Sequence, residues 1–447
     1  MKIPEWTKYS WRSFPVRQQP AWPDARECED TLEKLSNLPA LVFAGESRGL
    51  KQQLVEAAEG KAFVLQCGDC AEDFSRCNGS RIHNLLKVIL QMSVILAYAG
   101  EKQVVNIGRI AGQYAKPRSS ETEKVGGLEI PSYRGDMVNS PEPTLEARTP
   151  DPRKMLEGYF RAAATLNLVR AFTRGGYAAL DQVHAWHRDF LDAFPANQKY
   201  EELVMGIRKA INFTTAIGLD IHAPQLNQVT LYTSHEALLL DYEEAMTRID
   251  TTTGDWYDTS AHMPWIGDRT RQPDGAHVEF LRGVCNPLGM KIGPNHDIDD
   301  IKRVIEKLNP KNEPGRLTLI TRFGAEKINS FLPQLLREMK SEGFKLVWSC
   351  DPMHGNTYKN EHSQKTRKFE DIVREIHNFF QIHRTEGTIP GGVHLELTGD
   401  KVTECTGGAR QLLDKDLKLN YQTNCDPRLN AEQAVELAFE LAEILNP

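Results

Sequence analysis

Ala62-Phe63-Val64-Leu65-Gln66 is a short apolar run of strand length, without strict alternation, and Cys67 comes directly after it. A strand that is apolar on both faces belongs in a sheet covered on both sides, which is how parallel sheets are built. Runs of the same kind recur at residues 104–108, 178–183, 262–266, 289–292, 317–321, 345–349 and 392–395. Helical patterns lie between them, at 82–98, 154–172, 276–284, 298–308, 325–341, 369–383 and 431–445. This alternation predicts an α/β protein, either a (β/α)8 TIM barrel or a doubly wound sheet.

The residues at the strand ends separate the two architectures. Cys67 comes after the first run, Arg109 after the second, His184 after the third, and Asp268 with Arg269 after the fourth. Lys291 lies in the fifth, Arg322 comes after the sixth, Asp351 to His354 after the seventh, and Glu396 ends the eighth. The carboxyl ends of barrel strands converge on one mouth, so reactive residues at nearly every strand end are what a barrel active site requires. A doubly wound sheet would gather them at one switch point. The expected fold is therefore a (β/α)8 barrel.

Outside the rhythm, residues 1–60 are polar and proline-rich, then helical around 25–38 and 50–59. They read as an N-terminal extension, interface or regulatory in role, wrapped on a barrel of residues 61–447. Two further helical patterns, 200–217 and 235–249, stand between the third and fourth expected strands. Leu203, Val204, Ile207, Ala210 and Ile211 stripe the first of them. This insertion, about 200–220, is either a cover for the barrel wall or an interface and regulatory element.

Composition narrows the partners. With 447 residues and 40% hydrophobic content the chain can bury a large core, and a net charge of -7 argues against a general nucleic-acid binder. No run approaches the roughly 20 apolar residues that cross a bilayer; the longest candidate, 85–99, is interrupted by Lys87, Gln91 and Ser93. The start, Met1-Lys2-Ile3-Pro4-Glu5-Trp6, lacks the pattern of a signal peptide, so a cytoplasmic, bacterial-type enzyme without membrane partners is expected. The eight cysteines are then expected to be reduced, with catalytic or metal roles ahead of a disulfide framework.

Two groups of residues carry chemistry. Arg109, the run Lys116-Pro117-Arg118-Ser119, Arg269, Arg271, Lys291 and Arg322 crowd cations at strand ends. Like charges at one mouth repel unless an anion offsets them, and Arg matches phosphate and carboxylate oxygens bidentately. The implied ligand carries several negative charges. Cys67, His354, Glu396 and Asp426 come from distant points, each beyond a strand or in a late loop. One thiolate, one imidazole and two carboxylates form a mixed set suited to manganese, iron, cobalt or zinc. Cys67-Gly68-Asp69-Cys70 has no second pair to make a structural zinc site. No G-x-S-x-G elbow, Walker A run or dinucleotide-binding glycine motif is present.

Seven segments together resemble the class II 3-deoxy-D-arabino-heptulosonate 7-phosphate (DAHP) synthases of bacteria and plants. They are LQCGDCAE (65–72), GRIAGQYAKPRS (108–119), WIGDRTR (265–271), MKIGP (290–294), DPMHGN (351–356), GGVHLE (391–396) and CDPRLN (425–430). The resemblance implies a barrel that condenses phosphoenolpyruvate with erythrose 4-phosphate, the first step of the shikimate route to chorismate and the aromatic amino acids. It implies one divalent metal, Mn2+ or Co2+ foremost and Fe2+ or Zn2+ next, held by Cys67, His354, Glu396 and Asp426. Arg109, Asp268, Arg269, Lys291 and Arg322 are expected at phosphoenolpyruvate, and Lys116, Arg118 and Ser119 at erythrose 4-phosphate. Asp268 stands where the family commonly carries Glu. Lys291, with Asp268 or Glu236, is the candidate for proton transfer. Similarity to longer members implies a homo-oligomer, dimer or tetramer, inhibited by Trp, Phe or Tyr. Cys425 adjoins Asp426, and a redox disulfide with Cys67 is the sharper alternative to a plain buried thiol. A catalytically silent barrel acting as a scaffold, or condensation with another aldose phosphate, are the rival readings.

Overall fold

The structure, a computed structural model, describes residues 5–174 and 229–446, with scattered positions between them. Its main sheet has eight strands: β1 (Ala62–Gly68), β2 (Gln103–Arg109), β3 (Leu231–Thr233), β4 (Trp265–Ile266), β5 (Leu288–Ile292), β6 (Leu317–Thr321), β7 (Val347–Cys350) and β8 (Gly392–Glu396). Their order is β3-β2-β1-β8-β7-β6-β5-β4, and every pairing is parallel. Backbone bonds also join β4 to the segment just after β3: Trp265 N–H donates to His235 O at 3.0 Å and Ala237 N–H to Trp265 O at 2.9 Å. The curled parallel sheet and its surrounding helices make an α/β fold consistent with a TIM-like barrel.

One strand differs from expectation. The third place in the sheet belongs to Leu231–Thr233, three residues whose pattern is too short to stand out. Residues 178–183, the expected third strand, lie outside the described residues. In chain order the stretch 200–220 therefore precedes the third strand rather than coming after it, and most of it also lies outside the described residues. Part of the helix expected at 235–249 forms, as Leu240–Met246; the chain then turns into the strand Thr247–Ile249.

Burial obeys the two-residue alternation of a strand. Phe63, Leu65 and Cys67 join the apolar layer between sheet and helices, with Leu86, Ile89 and Met92. Val64 instead belongs to a smaller cluster with Val105, Ile107 and Tyr232, closed by Leu50, Leu54 and Ala57 of the helix Ala44–Ala58. Leu50 and Leu54 are fully buried there, each worth about 2 kcal/mol by transfer. The N-terminal segment is pinned further along: Trp6 Nε1 donates to Glu279 O at 3.0 Å and Trp11 Nε1 to Glu244 Oε2 at 2.8 Å. Trp6 needs Gly283 beneath it, because a Cβ there would sit 1.9 Å from the ring.

Among the described residues, the helix Gly79–Ala99 is long and apolar enough to cross a membrane by length and composition. Here its apolar side packs inside the fold, with Ile89, Met92, Ile95 and Leu96 fully buried. Asn78 caps its start by accepting from Arg81 N–H.

Candidate active site

A cavity of about 350 Å³ opens where the strand ends meet. Arg109, Lys116, Arg118, Ser119, Glu236, Asp268, Arg269, Lys291, Arg322, His354 and Asp426 all line it, so most residues expected at the site do converge. Glu396 stands just below, fully buried at the end of β8.

The expected thiol is not among them. Cys67 shares its face of β1 with Leu65, pointing into the apolar layer, where burial pushes it up to about 12. Enclosed by apolar side chains and away from the cavity lining, it is a packing group. Three residues on, Cys70 lies in the loop after β1, on the cavity wall. The donor atoms of Cys70, Glu396 and Asp426 all lie within 4.8 Å of one another, close to what two ligands at about 2.0–2.3 Å from one ion can span. Cys70 Sγ is 3.8 Å from Asp426 Oδ2, and the Cys425 thiol is hydrogen-bonded to Cys70. Cys425 therefore neighbours Cys70, not Cys67.

His354 adjoins this group at Glu396. Its Nδ1 lies 2.7 Å from Asp351 Oδ2 and its Nε2 lies 3.2 Å from Glu396 Oε1. Burial alone would raise the Asp351 carboxyl, but His354 and Lys291 overrule it and hold it well below its usual range. An ionised Asp351 accepts a hydrogen bond from Nδ1–H, which leaves the Nε2 lone pair facing a carboxylate oxygen. Two opposed lone pairs need a cation, or a second ring proton, between them. A divalent metal fits this arrangement, and Asp351 is the partner that orients its imidazole ligand.

Charge around the donors is balanced in the interior. Glu396 pairs with Arg367 at 2.7 Å and Arg109 at 3.0 Å, all three essentially buried. Burial would raise the Glu396 carboxyl; His354, Arg367 and Arg109 keep it well below its ordinary range. Asp426 accepts from Lys116 at 2.7 Å and Lys365 at 2.8 Å, and Lys116 Nζ also touches Cys70 Sγ.

Cations divide into a deep and a rim group. Deep in the cavity, Arg109 donates to His394 Nε2 at 2.8 Å, and Lys291 pairs with Asp351. The Lys291 ammonium and the Arg109 guanidinium lie 5.9 and 5.3 Å from the Trp265 ring centre. Among the described residues the buried Nε atoms of Arg109 and Arg322 have no hydrogen-bond partner, so each keeps a donor for an anion. At the rim, Arg269 Nη2 donates to Ser119 Oγ at 3.0 Å and Arg118 pairs with Glu123 at 2.7 Å. Arg269, expected with the deep group, thus sits where the two expected substrate sites meet. Asp268 is taken up by Arg271 at 3.0 Å, Arg322 at 3.5 Å and the Gly293 N–H at 3.1 Å. Glu236 is enclosed beside Gly267, its Oε1 unpartnered; burial raises its carboxyl against the pull of Lys116 and Lys291.

Glu72 carries no signal in the sequence, yet it builds the loop that holds Lys116 to Ser119. Its buried carboxylate accepts from Ala111, Gly112 and Gln113 N–H at 2.9, 2.7 and 2.7 Å. Ala111 is held at φ +65°, a conformation that costs a non-glycine residue on the order of 1 kcal/mol. Asp351, Arg367, His394 and Lys365 likewise join the site without having been expected in it as ligands or substrate contacts. Of these, Asp351 stands at a strand end and His394 shares the inward face of β8 with Glu396 by alternation, while Arg367 and Lys365 have no legible signal.

A cation-lined mouth, with a thiol, an imidazole and two carboxylates gathered beside it, defines a barrel-type enzyme site for anionic substrates. Residues 6–442 match the Class-II DAHP synthetase family. The chain is 49% identical over 435 residues to a phospho-2-dehydro-3-deoxyheptonate aldolase of Streptomyces coelicolor, covering 97% of this chain and 96% of that one. It is 46% identical to proteins of that name from Mycolicibacterium smegmatis (96% and 93% covered) and Neurospora crassa (98% and 94% covered). The chain belongs to the class-II DAHP synthetase family.

Proposed function

We propose that this enzyme condenses phosphoenolpyruvate with erythrose 4-phosphate, giving DAHP and inorganic phosphate, around one divalent metal held by Cys70, His354, Glu396 and Asp426. The observation that carries the reading is the convergence of Cys70, Glu396 and Asp426, with His354 beside Glu396, on one cavity with two groups of cations. The amended thiol, Cys70 in place of Cys67, rests on the same convergence.

Arg109, Arg322 and Lys291 are suited to the phosphate and carboxylate of phosphoenolpyruvate, deep in the cavity. Arg118 and Ser119 are suited to the phosphate of the sugar at the rim, with Lys116 turned toward its chain and Arg269 at the seam. When bound, the metal supplies Lewis acidity that polarises the aldehyde oxygen. C3 of phosphoenolpyruvate attacks the aldehyde carbon, so no enzyme nucleophile is needed. Lys291, held between Asp351 and the cavity, donates a proton to the developing alkoxide. The carboxylate of Glu236 accepts a proton from the water that adds at C2, and phosphate leaves with cleavage of its C–O bond. Asp268 holds Arg322 and the Gly293 turn in place rather than moving a proton. Positioning and charge complementarity supply a large share of the rate.

The sugar is the part that rests on family membership. Matched assays with erythrose 4-phosphate and arabinose 5-phosphate test it: product should form with the first at least tenfold faster, and parity would refute the assignment. We further propose a dimer or tetramer inhibited by an aromatic amino acid, through residues 1–60 and about 200–220. A flat response to Trp, Phe and Tyr, singly and mixed, would refute the inhibition.

A further inference from the structure

We propose that Glu375 is a positioning residue that ties the Arg322 loop to the His354 loop, so that phosphoenolpyruvate and the metal bind cooperatively. The inference rests on the metal and substrate assignments above and concerns how the two sites are linked.

Glu375 lies on the outer helix Phe369–Glu386 and is fully buried. Its Oε1 accepts from Phe323 N–H at 3.1 Å and Gly324 N–H at 2.8 Å, the two residues directly after Arg322. Its Oε2 accepts from Asn356 Nδ2 at 2.7 Å, two residues after His354. Asn356 returns to the first loop, its Oδ1 accepting from Ala325 N–H at 2.9 Å. One carboxylate and one amide therefore stitch both loops into a single unit.

The backbones leave no slack between them. Gly324 is at φ +85°, and a Cβ on it would sit 2.7 Å from Gly355 O. A Cβ on Gly355 would sit 2.3 Å from Gly324 N. Loops this close move together or not at all, because packed backbone has few alternative arrangements. Within the cavity, Asp351 also joins the His354 ring to Lys291 of β5.

Burial pushes the Glu375 carboxyl up to about 8 against the pull of the Gly324 N–H, the Asn356 amide and the Phe323 N–H, so enclosing it is a costly way to fasten a loop. Here its partners are main-chain and amide N–H groups, whose directions it fixes. An anion at Arg322 and a cation at His354 would then each favour the same arrangement of the shared unit. Coupling between two ligands is reciprocal: whatever factor one imposes on the other is returned.

The test measures binding by calorimetry, with manganese(II) and phosphoenolpyruvate each titrated in the absence and presence of the other. The wild type should show a coupling factor of about 5–150, the usual range for linked sites. Glu375→Gln keeps an acceptor for the Phe323 and Gly324 N–H groups but turns an amide N–H toward Asn356 Nδ2. Its coupling factor should fall to within about twofold of unity, while the melting transition stays cooperative. Asn356→Ala cuts the same link from the other side, and the double variant should lose no further coupling. If Glu375→Gln does not fold, Asn356→Ala decides alone. Unchanged coupling in the folded variants overturns the proposal, as does a wild type that binds each ligand independently. A wild type that binds neither ligand instead overturns the site assignment beneath it.

Discussion

Cys70 Sγ and Asp426 Oδ2 lie 3.8 Å apart although 356 residues separate them in the chain. The loop after β1 and the late loop before the helix Ala431–Leu445 thus meet over Glu396. Removing the Cys70 thiol by Cys70→Ala should abolish stoichiometric binding of manganese(II). Cys67→Ser should bind the metal normally and lose about 1–3 kcal/mol of stability, because it puts a hydroxyl in an apolar layer. Metal content after gel filtration, with denaturant midpoints, distinguishes the two; metal loss in Cys67→Ser alone would reverse the assignment.

The ammonium of Lys291 titrates near the working range. Burial lowers it from 10.5 to about 8, against the pull of Asp351. Below about 8 it is charged and can bind an anion, so kcat/KM for phosphoenolpyruvate should fall as pH rises through 8. The stability effect has the opposite sign. Between about 8 and 10.5 the unfolded chain binds the extra proton, so folding gains from rising pH there. Lys291→Arg should erase the alkaline limb; a profile unchanged by that substitution would contradict this role.

Arg367 and Glu396 form an ion pair with both side chains wholly enclosed. Truncating one member leaves the other charge unpaired, which costs about 3–5 kcal/mol. Arg367→Ala should therefore lower the denaturation midpoint sharply and weaken metal binding through a displaced Glu396. Substitution of exposed Arg303, paired with Asp274 at the surface, should cost less than about 1 kcal/mol.

Oxidation should act through Cys70 and Cys425, whose thiols share a hydrogen bond. Mild disulfide-forming oxidant should remove two titratable thiols and release the metal, and prior metal loading should protect both. Cys425→Ser should keep its metal under the same treatment. Eight free thiols after oxidation of the metal-free protein would rule the bond out.

Much of the site is legible in the sequence because strand ends are ordered by the fold. Arg109, Lys291, Arg322 and Glu396 fall into place once the alternation of strands and helices is taken as a barrel. The thiol is the exception, for a physical reason already present in the sequence. Cys67 has the parity of Leu65, so the two-residue period sends it to the helix side, and the loop frees Cys70 to turn inward. The third strand escapes detection because three residues, Leu231–Thr233, carry too little pattern to register. Glu72 and Glu375 act on main-chain N–H groups of distant loops, contacts that no local spacing encodes.

Phosphate release by the chelated protein, measured while manganese(II) is added back, tests the account most directly. Release should be negligible without metal, require phosphoenolpyruvate and erythrose 4-phosphate together, and reach its plateau at one equivalent of metal per chain. Full activity after exhaustive chelation, or phosphate released from phosphoenolpyruvate without the sugar, would contradict the account.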